Sequence, residues 1–379
     1  MPSERSDAER LPSECLTLRE LVARVGLVVG SLTVALLALE VGIRAYHGRA
    51  ALADWHNPYL YVAGPEQPWG GVVTDRALGF VMLPDFASPR TNHDSAGFRI
   101  VRGAVVDERA AKEPPILTVG DSYVYGAAVD DASAWPALLQ PIVGRRVINA
   151  AVVGFGLDQM VLRLEALVPA LRPAVAIVGF IPDDVRRLGL SRAWGGGKPY
   201  FVLEGEPAAQ RLALRNVPVP SPPPREQMIS TFHRLLGWSY LLHAFERRLM
   251  SRRDEWIGES LRVMPREAAE QIVCPLMARA ARIGVPLLVV AQYEPGGWSG
   301  GTDGEMNRRE QQRVTALVLG CGATAGIATL DLFAETDRAV RDIGFEAMFD
   351  GSHPSAESNR ITADAVATEL RRRGWLGQR

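Results

Sequence analysis

The chain has 379 residues, 47% of them hydrophobic, and a formal net charge of -1. That length and apolar content can bury one large domain with accessories or two smaller domains. The near-neutral balance gives no electrostatic reason to expect nucleic acid, and that class of partner is set aside. Cys15, Cys274 and Cys321 stand far apart and show none of the CxxC or Cys/His spacings that metal or redox sites need. Buried free thiols are the expectation for Cys274 and Cys321, with one disulfide between them as the alternative if the domain lies outside the cytoplasm.

In chain order, a tail over residues 1–24 mixes Arg5, Arg10, Arg19 and Arg24 with several acids. Residues 25–39 then carry no charge, and with Glu40 tolerated the apolar run continues to Ile43 and ends at Arg44. This is close to the roughly 20 residues a spanning helix requires. A soluble helix would show a polar stripe, whereas this run is apolar on all sides, so residues 25–46 are expected to form a transmembrane anchor. Counting Lys and Arg on either side favours the N-terminus inside and the rest of the chain extracytoplasmic. Ala51-Leu52-Ala53 resembles a signal-peptide cleavage site, but it follows Arg44, His47 and Arg49, farther from the run than such sites fall; an uncleaved anchor fits better.

Residues 47–110 are rich in Pro, Gly and aromatics and predict a connector arm packed on the domain surface. The remainder, 111–379, alternates short apolar runs (ILTV, RVINAAV, VAIVGFI, PLLVVAQY, IATLDLF) with helix-period segments such as QMVLRLEALVPAL. Such alternation predicts an α/β domain, a parallel sheet covered by helices on both faces. The pattern is interrupted at about 187–262 by GGGK, VPVPSPPP and an aromatic, basic helical segment, an insertion expected to act as a lid or a partner surface, with a buried cap preferred to membrane contact.

Two motifs carry chemistry. Gly120-Asp121-Ser122 follows the ILTV strand directly, and a serine at the carboxyl end of a parallel strand faces the crevice where ligands bind. The alternative for Ser122 is a turn serine that caps the next helix. Asp350-Gly351-Ser352-His353-Pro354 precedes the last helix and offers an imidazole base with a carboxylate to orient it; the alternative is a surface turn.

Together these blocks resemble the SGNH, or GDSL-type, hydrolase superfamily: GDSYVYG at 120–126, DGSHPS at 350–355, and NAAVVGFG at 149–156 followed by Gln159. The lead-in with Asn92 and Gly97-Phe98-Arg99 resembles that of membrane-anchored members, and the resemblance covers about residues 92–371, the insertion excepted. It implies a three-layer α/β/α, flavodoxin-like fold with Ser122 as nucleophile, His353 as base and Asp350 as its partner. The oxyanion hole it implies is built from the N–H groups of Ser122 and Gly154, with Asp183 at the third position.

That third position departs from the pattern, because the family places an asparagine where this chain has Asp183. Three readings stay open: a protonated Asp183 that donates a hydrogen bond, a hole made of the two backbone N–H groups alone at a cost of about 3–4 kcal/mol, or lost catalysis. Asp121 is expected to order the turn and Asp184 to cap a helix; His233 and His243 are expected to be packing residues.

The functional expectation is a membrane-anchored serine esterase or O-acyl transferase acting on O-acyl esters, those of glycans included, through an acyl-serine intermediate and without metal or organic cofactor. Carbohydrate substrates enter by fold-level analogy alone. The alternatives are a non-catalytic binding or assembly protein of the same fold, and a secreted hydrolase released after Ala53.

Overall fold

The computed structural model describes residues 17–53, 55, 71–103, 112–206, 210–220, 231–249 and 260–376. Most of the tail (1–16), parts of the connector arm (56–70 and 104–111) and the second half of the Pro-rich stretch with the residues up to the next helix (221–230) lie outside the described residues. The chain forms two units, Met1–Tyr61 with Ile229–Arg253, and Val62–Met228 with Asp254–Arg379.

In the first unit the apolar run is one helix, α1 (Leu18–Tyr46). It starts at a capping box in which the Glu20 carboxylate takes the Thr17 N–H at 3.0 Å and Thr17 Oγ1 accepts the Glu20 N–H at 3.4 Å. Its most apolar 18-residue window has a mean hydropathy of 2.1, and the chain covers none of that window. The same unit holds two helices of the insertion, Thr231–Leu236 and Tyr240–Leu249. The expectation of a buried cap is corrected here: Leu235 is 67% exposed and Phe245 51%. Their buried face carries a polar pair instead, His233 Nε2 with Glu246 Oε1 at 2.7 Å, while His243 Nε2 lies 2.9 Å from the Gly237 carbonyl.

The second unit is built on five strands, β1 (Ile116–Val119), β2 (Val147–Asn149), β3 (Val175–Phe180), β4 (Leu287–Ala291) and β5 (Ala328–Asp331). They pair in the order β2-β1-β3-β4-β5, all parallel. Every residue of β1, β3 and β4 is buried, as expected for strands covered on both faces. Helices Trp135–Val143 and Ala356–Arg372 pack together, and Leu157–Leu171, Val273–Ala280 and Gly301–Thr324 form a second group. This is the three-layer α/β/α arrangement. Strand order reverses between β1 and β3, and an open sheet of this order has its ligand crevice outside the carboxyl ends of the strands at that point.

The arm over 71–103 is more than a surface connector. It forms a ribbon, Val72–Asp75 paired with Gly79–Met82, and buries Phe80, Met82 and Phe98 in the main core. Arg99, 5% exposed, holds Asp131 Oδ1 at 2.7 Å and donates to the carbonyls of Tyr125, Gly126 and Val129. Asn92 Nδ2 donates to Asp131 Oδ2 at 2.7 Å. The arm thereby clamps the chain just after Ser122.

The insertion is split between the units. Its ribbons Leu190–Ala193 with Gly196–Gly197 and Tyr200–Glu204 with Arg211–Arg215 stay in the second unit. They are tied down by Lys198, whose fully buried Nζ lies 2.6 Å from Asp158 Oδ2 and also donates to the carbonyls of Arg187, Leu190 and Pro199.

Cys274 and Cys321 form a disulfide, which corrects the free-thiol expectation; it staples Val273–Ala280 to Gly301–Thr324. Closing a loop of 47 residues restricts the unfolded chain, and such bridges contribute about 2–4 kcal/mol. The double variant Cys274→Ser/Cys321→Ser is therefore expected to lose about that much in urea unfolding, with the second unit still folded.

Candidate active site

The position of Ser122 follows from the turn that ends β1. A Cβ on Gly120 would lie 2.1 Å from Val124 Cγ2 and 2.6 Å from the Gly179 carbonyl oxygen, so glycine is required for the close approach. Asp121 then caps the one-turn helix Ser122–Tyr125 by accepting the Tyr123 N–H at 2.9 Å. Ser122 is the first residue of that helix, and among the described residues its own N–H has no hydrogen-bond partner.

His353 reaches this serine from the other end of the chain: Nε2 lies 3.0 Å from Ser122 Oγ. Its loop is a two-residue ladder, Phe349–Asp350 against His353–Pro354. The loop is pinned by the residue next to Ser122, because Tyr123 Oη donates to the Ser352 carbonyl at 2.7 Å and the Tyr123 ring sits 5.5 Å from the imidazole. Burial pushes His353 below its ordinary pKa of 6.5, the Arg187 charge pushes the same way, and Asp350 opposes both. The imidazole is neutral at pH 7, the form that accepts a proton.

The structure does not bring Asp350 into a hydrogen bond with His353. Asp350 pairs with His353 in the backbone ladder, but its side chain is exposed. Imidazole Nδ1 faces Ser352 Oγ at 3.1 Å instead. Asp350 acts on the histidine through space.

Gly154 follows β2 with φ +83°, and a Cβ there would lie 2.4 Å from Trp194 Cδ1, so both conformation and packing require glycine. Its N–H, like that of Ser122, has no hydrogen-bond partner among the described residues. Asn149 at the end of β2 donates from Nδ2 to the carbonyls of Val124 and Tyr125 at 3.3 and 3.2 Å, joining this loop to the serine helix. Gln159 caps the following helix by accepting the Gly156 N–H at 3.0 Å.

Asp183 is not a protonated donor. Arg186 grips both its oxygens, at 2.5 and 3.1 Å, and Arg187 Nη2 lies 2.8 Å from Oδ2. Burial works to raise its pKa, but the two guanidinium groups overcome burial and hold it at about 2. The carboxylate is therefore ionised, with its charge compensated, and has no proton to offer an oxyanion.

Arg187 is the centre of this cluster. It is 5% exposed and reaches Asp184 Oδ1 at 2.6 Å, the Phe155 carbonyl at 2.7 Å and Asp121 Oδ2 at 3.7 Å besides Asp183. Asp184 also accepts the Ile181 N–H at 2.9 Å and so caps its own helix, Pro182–Arg186. Burial and the nearby Asp121 push the Asp184 carboxyl well up. Burial, with Asp183 next in importance, raises Glu294 to about 7.

Four of these residues were not singled out from sequence: Tyr123, Arg187, Trp194 and Glu294. Arg187 stands four residues after Asp183, at the C-cap of the short helix Pro182–Arg186, a spacing at which charges pair. Trp194 sits among glycines at a ribbon turn, 65% exposed, with the Arg187 guanidinium 5.8 Å from its ring. An exposed tryptophan at a turn was the available signal.

No family model matches the chain, and no curated protein sequence matches it. Solved structures are similar to it at low identity. LAE5, an alpha/beta hydrolase enzyme from the metagenome of Lake Arreo, Spain, is 16% identical; the match covers 70% of this chain and 97% of that one, with a TM-score of 0.41. A catalytic mutant of Axe2, an acetylxylan esterase from Geobacillus stearothermophilus, is also 16% identical over 70% of this chain and 97% of its own, with a TM-score of 0.40. A putative lipolytic protein of the G-D-S-L family from Desulfitobacterium hafniense DCB-2 is 12% identical over 68% and 100%, with a TM-score of 0.33. At these values nothing about chemistry passes from them to this chain.

The depressed His353 predicts the acid limb of any His353-dependent activity. The neutral base persists below pH 6.5 and is lost only as pH falls through the lowered value. Replacing Asp350 by Asn removes the one influence that raises His353, so the limb moves to still lower pH. Because Asp350 makes no hydrogen bond to the ring, the expected loss in kcat is under about tenfold, against about 10⁴ for a carboxylate that fixes the tautomer directly. A pH–rate profile of wild type and Asp350→Asn checks both statements.

Proposed function

We propose that this protein is a membrane-anchored serine esterase of the SGNH type that cleaves or transfers O-acyl groups outside the cytoplasm. The observation that carries this reading is the 3.0 Å contact between Ser122 Oγ and His353 Nε2 at the carboxyl end of β1. It joins residues 231 positions apart in the relation that nucleophile and general base require.

In this mechanism Ser122 Oγ attacks the ester carbonyl carbon while His353 Nε2 takes the hydroxyl proton. The tetrahedral oxygen is held by the N–H groups of Ser122 and Gly154. Collapse breaks the bond to the alcohol, which leaves with the proton from His353, and an acyl-serine remains. A water molecule or an acceptor hydroxyl, deprotonated by the same histidine, attacks the acyl carbon and restores Ser122. Asp183 supplies no third donor, and the positive field of Arg186 and Arg187 limits the repulsion its charge would exert on the oxyanion.

The exposed Trp194 indole against Gly154 offers a flat apolar face beside the reacting group, which suits the ring of an acylated sugar or an acyl chain. The disulfide supports an oxidising compartment, where such bonds persist. The Lys and Arg distribution around α1 supports the same side.

A second reading, a binding protein that keeps the fold, is favoured by the ionised Asp183 and by the missing Asp350 hydrogen bond. Labelling the full-length, detergent-solubilised chain with a fluorophosphonate probe separates the two. Wild type is expected to label and Ser122→Ala to remain blank. Asp183→Asn, which replaces an acceptor with an amide N–H, is expected to label faster by a factor approaching about 10². Wild type that stays unlabelled beside a reactive serine esterase in the same tube would overturn the catalytic reading.

A further inference from the structure

The first unit is inside out. Of the 29 residues of α1, the chain buries Glu40 and Arg44, while Leu32, Val34, Leu36, Leu37 and Leu39 are each more than half exposed. The two insertion helices repeat the pattern, with His233 and Glu246 fully buried and Leu235, Leu236 and Phe245 outside. A soluble helix buries its apolar stripe. Charged groups turned inward and paired, with leucines outward, is the arrangement that belongs in hydrocarbon.

Glu40 ties α1 to the start of the second insertion helix. Its carboxylate accepts from four donors: Arg44 Nε at 2.6 Å, Ser239 Oγ at 2.7 Å, and the N–H groups of Tyr240 and Leu241, both at 2.9 Å. Two of these are the first N–H groups of Tyr240–Leu249, so Glu40 caps a helix that begins 200 residues away in the chain. Arg44 is closed off as completely. Nη1 donates to the Ala51 carbonyl and Nη2 to that of Trp238, and the guanidinium lies 4.0 Å from the Trp55 ring and 4.6 Å from the Tyr240 ring.

If the span runs over residues 25–43, about 28 Å at 1.5 Å per residue, Glu40 lies roughly one turn inside the hydrocarbon edge. The segment bonded to it then lies at that edge. There Tyr46, Trp55, Trp238 and Tyr240 form the ring of aromatics found at membrane–water boundaries. The sequence also groups Arg247, Arg248, Arg252 and Arg253 in one short stretch, the charge that lipid phosphates attract.

We propose that Thr231–Leu236 and Tyr240–Leu249 form an interfacial hairpin that dips into the headgroup–acyl boundary of a phospholipid bilayer and is latched to α1 by Glu40. The chain's membrane attachment is then composite, a spanning helix plus a hairpin held at fixed depth, and this rests on the reading of α1 as a membrane anchor.

The test uses the full chain in vesicles of phosphatidylcholine and phosphatidylglycerol, with Cys15→Ser and a nitroxide on one introduced cysteine. The sites are Leu36→Cys in the anchor, Leu235→Cys and Phe245→Cys in the hairpin, and Met306→Cys on the exposed surface of the second unit. Collision with oxygen, which enters lipid, is compared with collision with a water-soluble nickel chelate. The expected result is a several-fold higher oxygen-to-nickel ratio at 235 and 245 than at 306, with 36 deeper still. In Glu40→Ala the ratios at 235 and 245 fall while that at 36 holds. Ratios at 235 and 245 equal to that at 306, with 36 in lipid, overturn the hairpin and leave the anchor standing; a water-exposed 36 overturns the anchor and the hairpin with it. Ratios at 235 and 245 unmoved by Glu40→Ala overturn the latch.

Discussion

The candidate site depends on one buried cation. Arg187 stands where the chain leaves β1, β2 and β3, and it is the group that lets Asp121, the Phe155 carbonyl, Asp183 and Asp184 converge there. Without it, Asp183 would keep Arg186, but the fully buried Asp121 and Asp184 would have little beyond backbone N–H bonds to set against their desolvation. With it, Asp121 can cap the serine helix and Asp184 the next one, so the loops on either side of the strand-order reversal are set by a single guanidinium. The same charge helps keep His353 neutral, linking the framework to the chemistry.

A second consequence is that positioning of the histidine falls to unexpected groups. Tyr123 holds the loop through the Ser352 carbonyl, and Ser352 Oγ faces Nδ1. Asp350 contributes only charge from an exposed position. The loop is thus fixed by a neutral hydrogen bond beside Ser122. The Arg99 and Asp131 pair braces the far side of the serine helix from the arm, and breaking a buried pair of this kind by removing one partner costs about 3–5 kcal/mol.

The two units solve opposite solvation problems. In the second, apolar strands are covered by helices and the buried charges are paired around the site. In the first, the polar groups are enclosed and the leucines are left outside. Glu40 looks like a flaw in an apolar run when only neighbours in sequence are considered; capped by Ser239, Tyr240 and Leu241 it becomes a joint.

The sequence by itself determined the layered α/β fold and the long apolar helix, while Ser122, Gly154 and His353 were marked by the resemblance of their blocks to a known superfamily. Strand periodicity, charge-free length and glycine-bounded turns are local properties, and local properties are written in consecutive residues. What only the tertiary structure decided is how distant groups share charge and hydrogen bonds. It paired Cys274 with Cys321, ionised Asp183 between Arg186 and Arg187, and left Asp350 short of the imidazole. It also drew the arm over 71–103 into the core and gathered the helices after 231 around Glu40. Each of these depends on distances between residues far apart in the chain and on the burial that surrounds them. Neither distance nor burial is encoded in spacing alone.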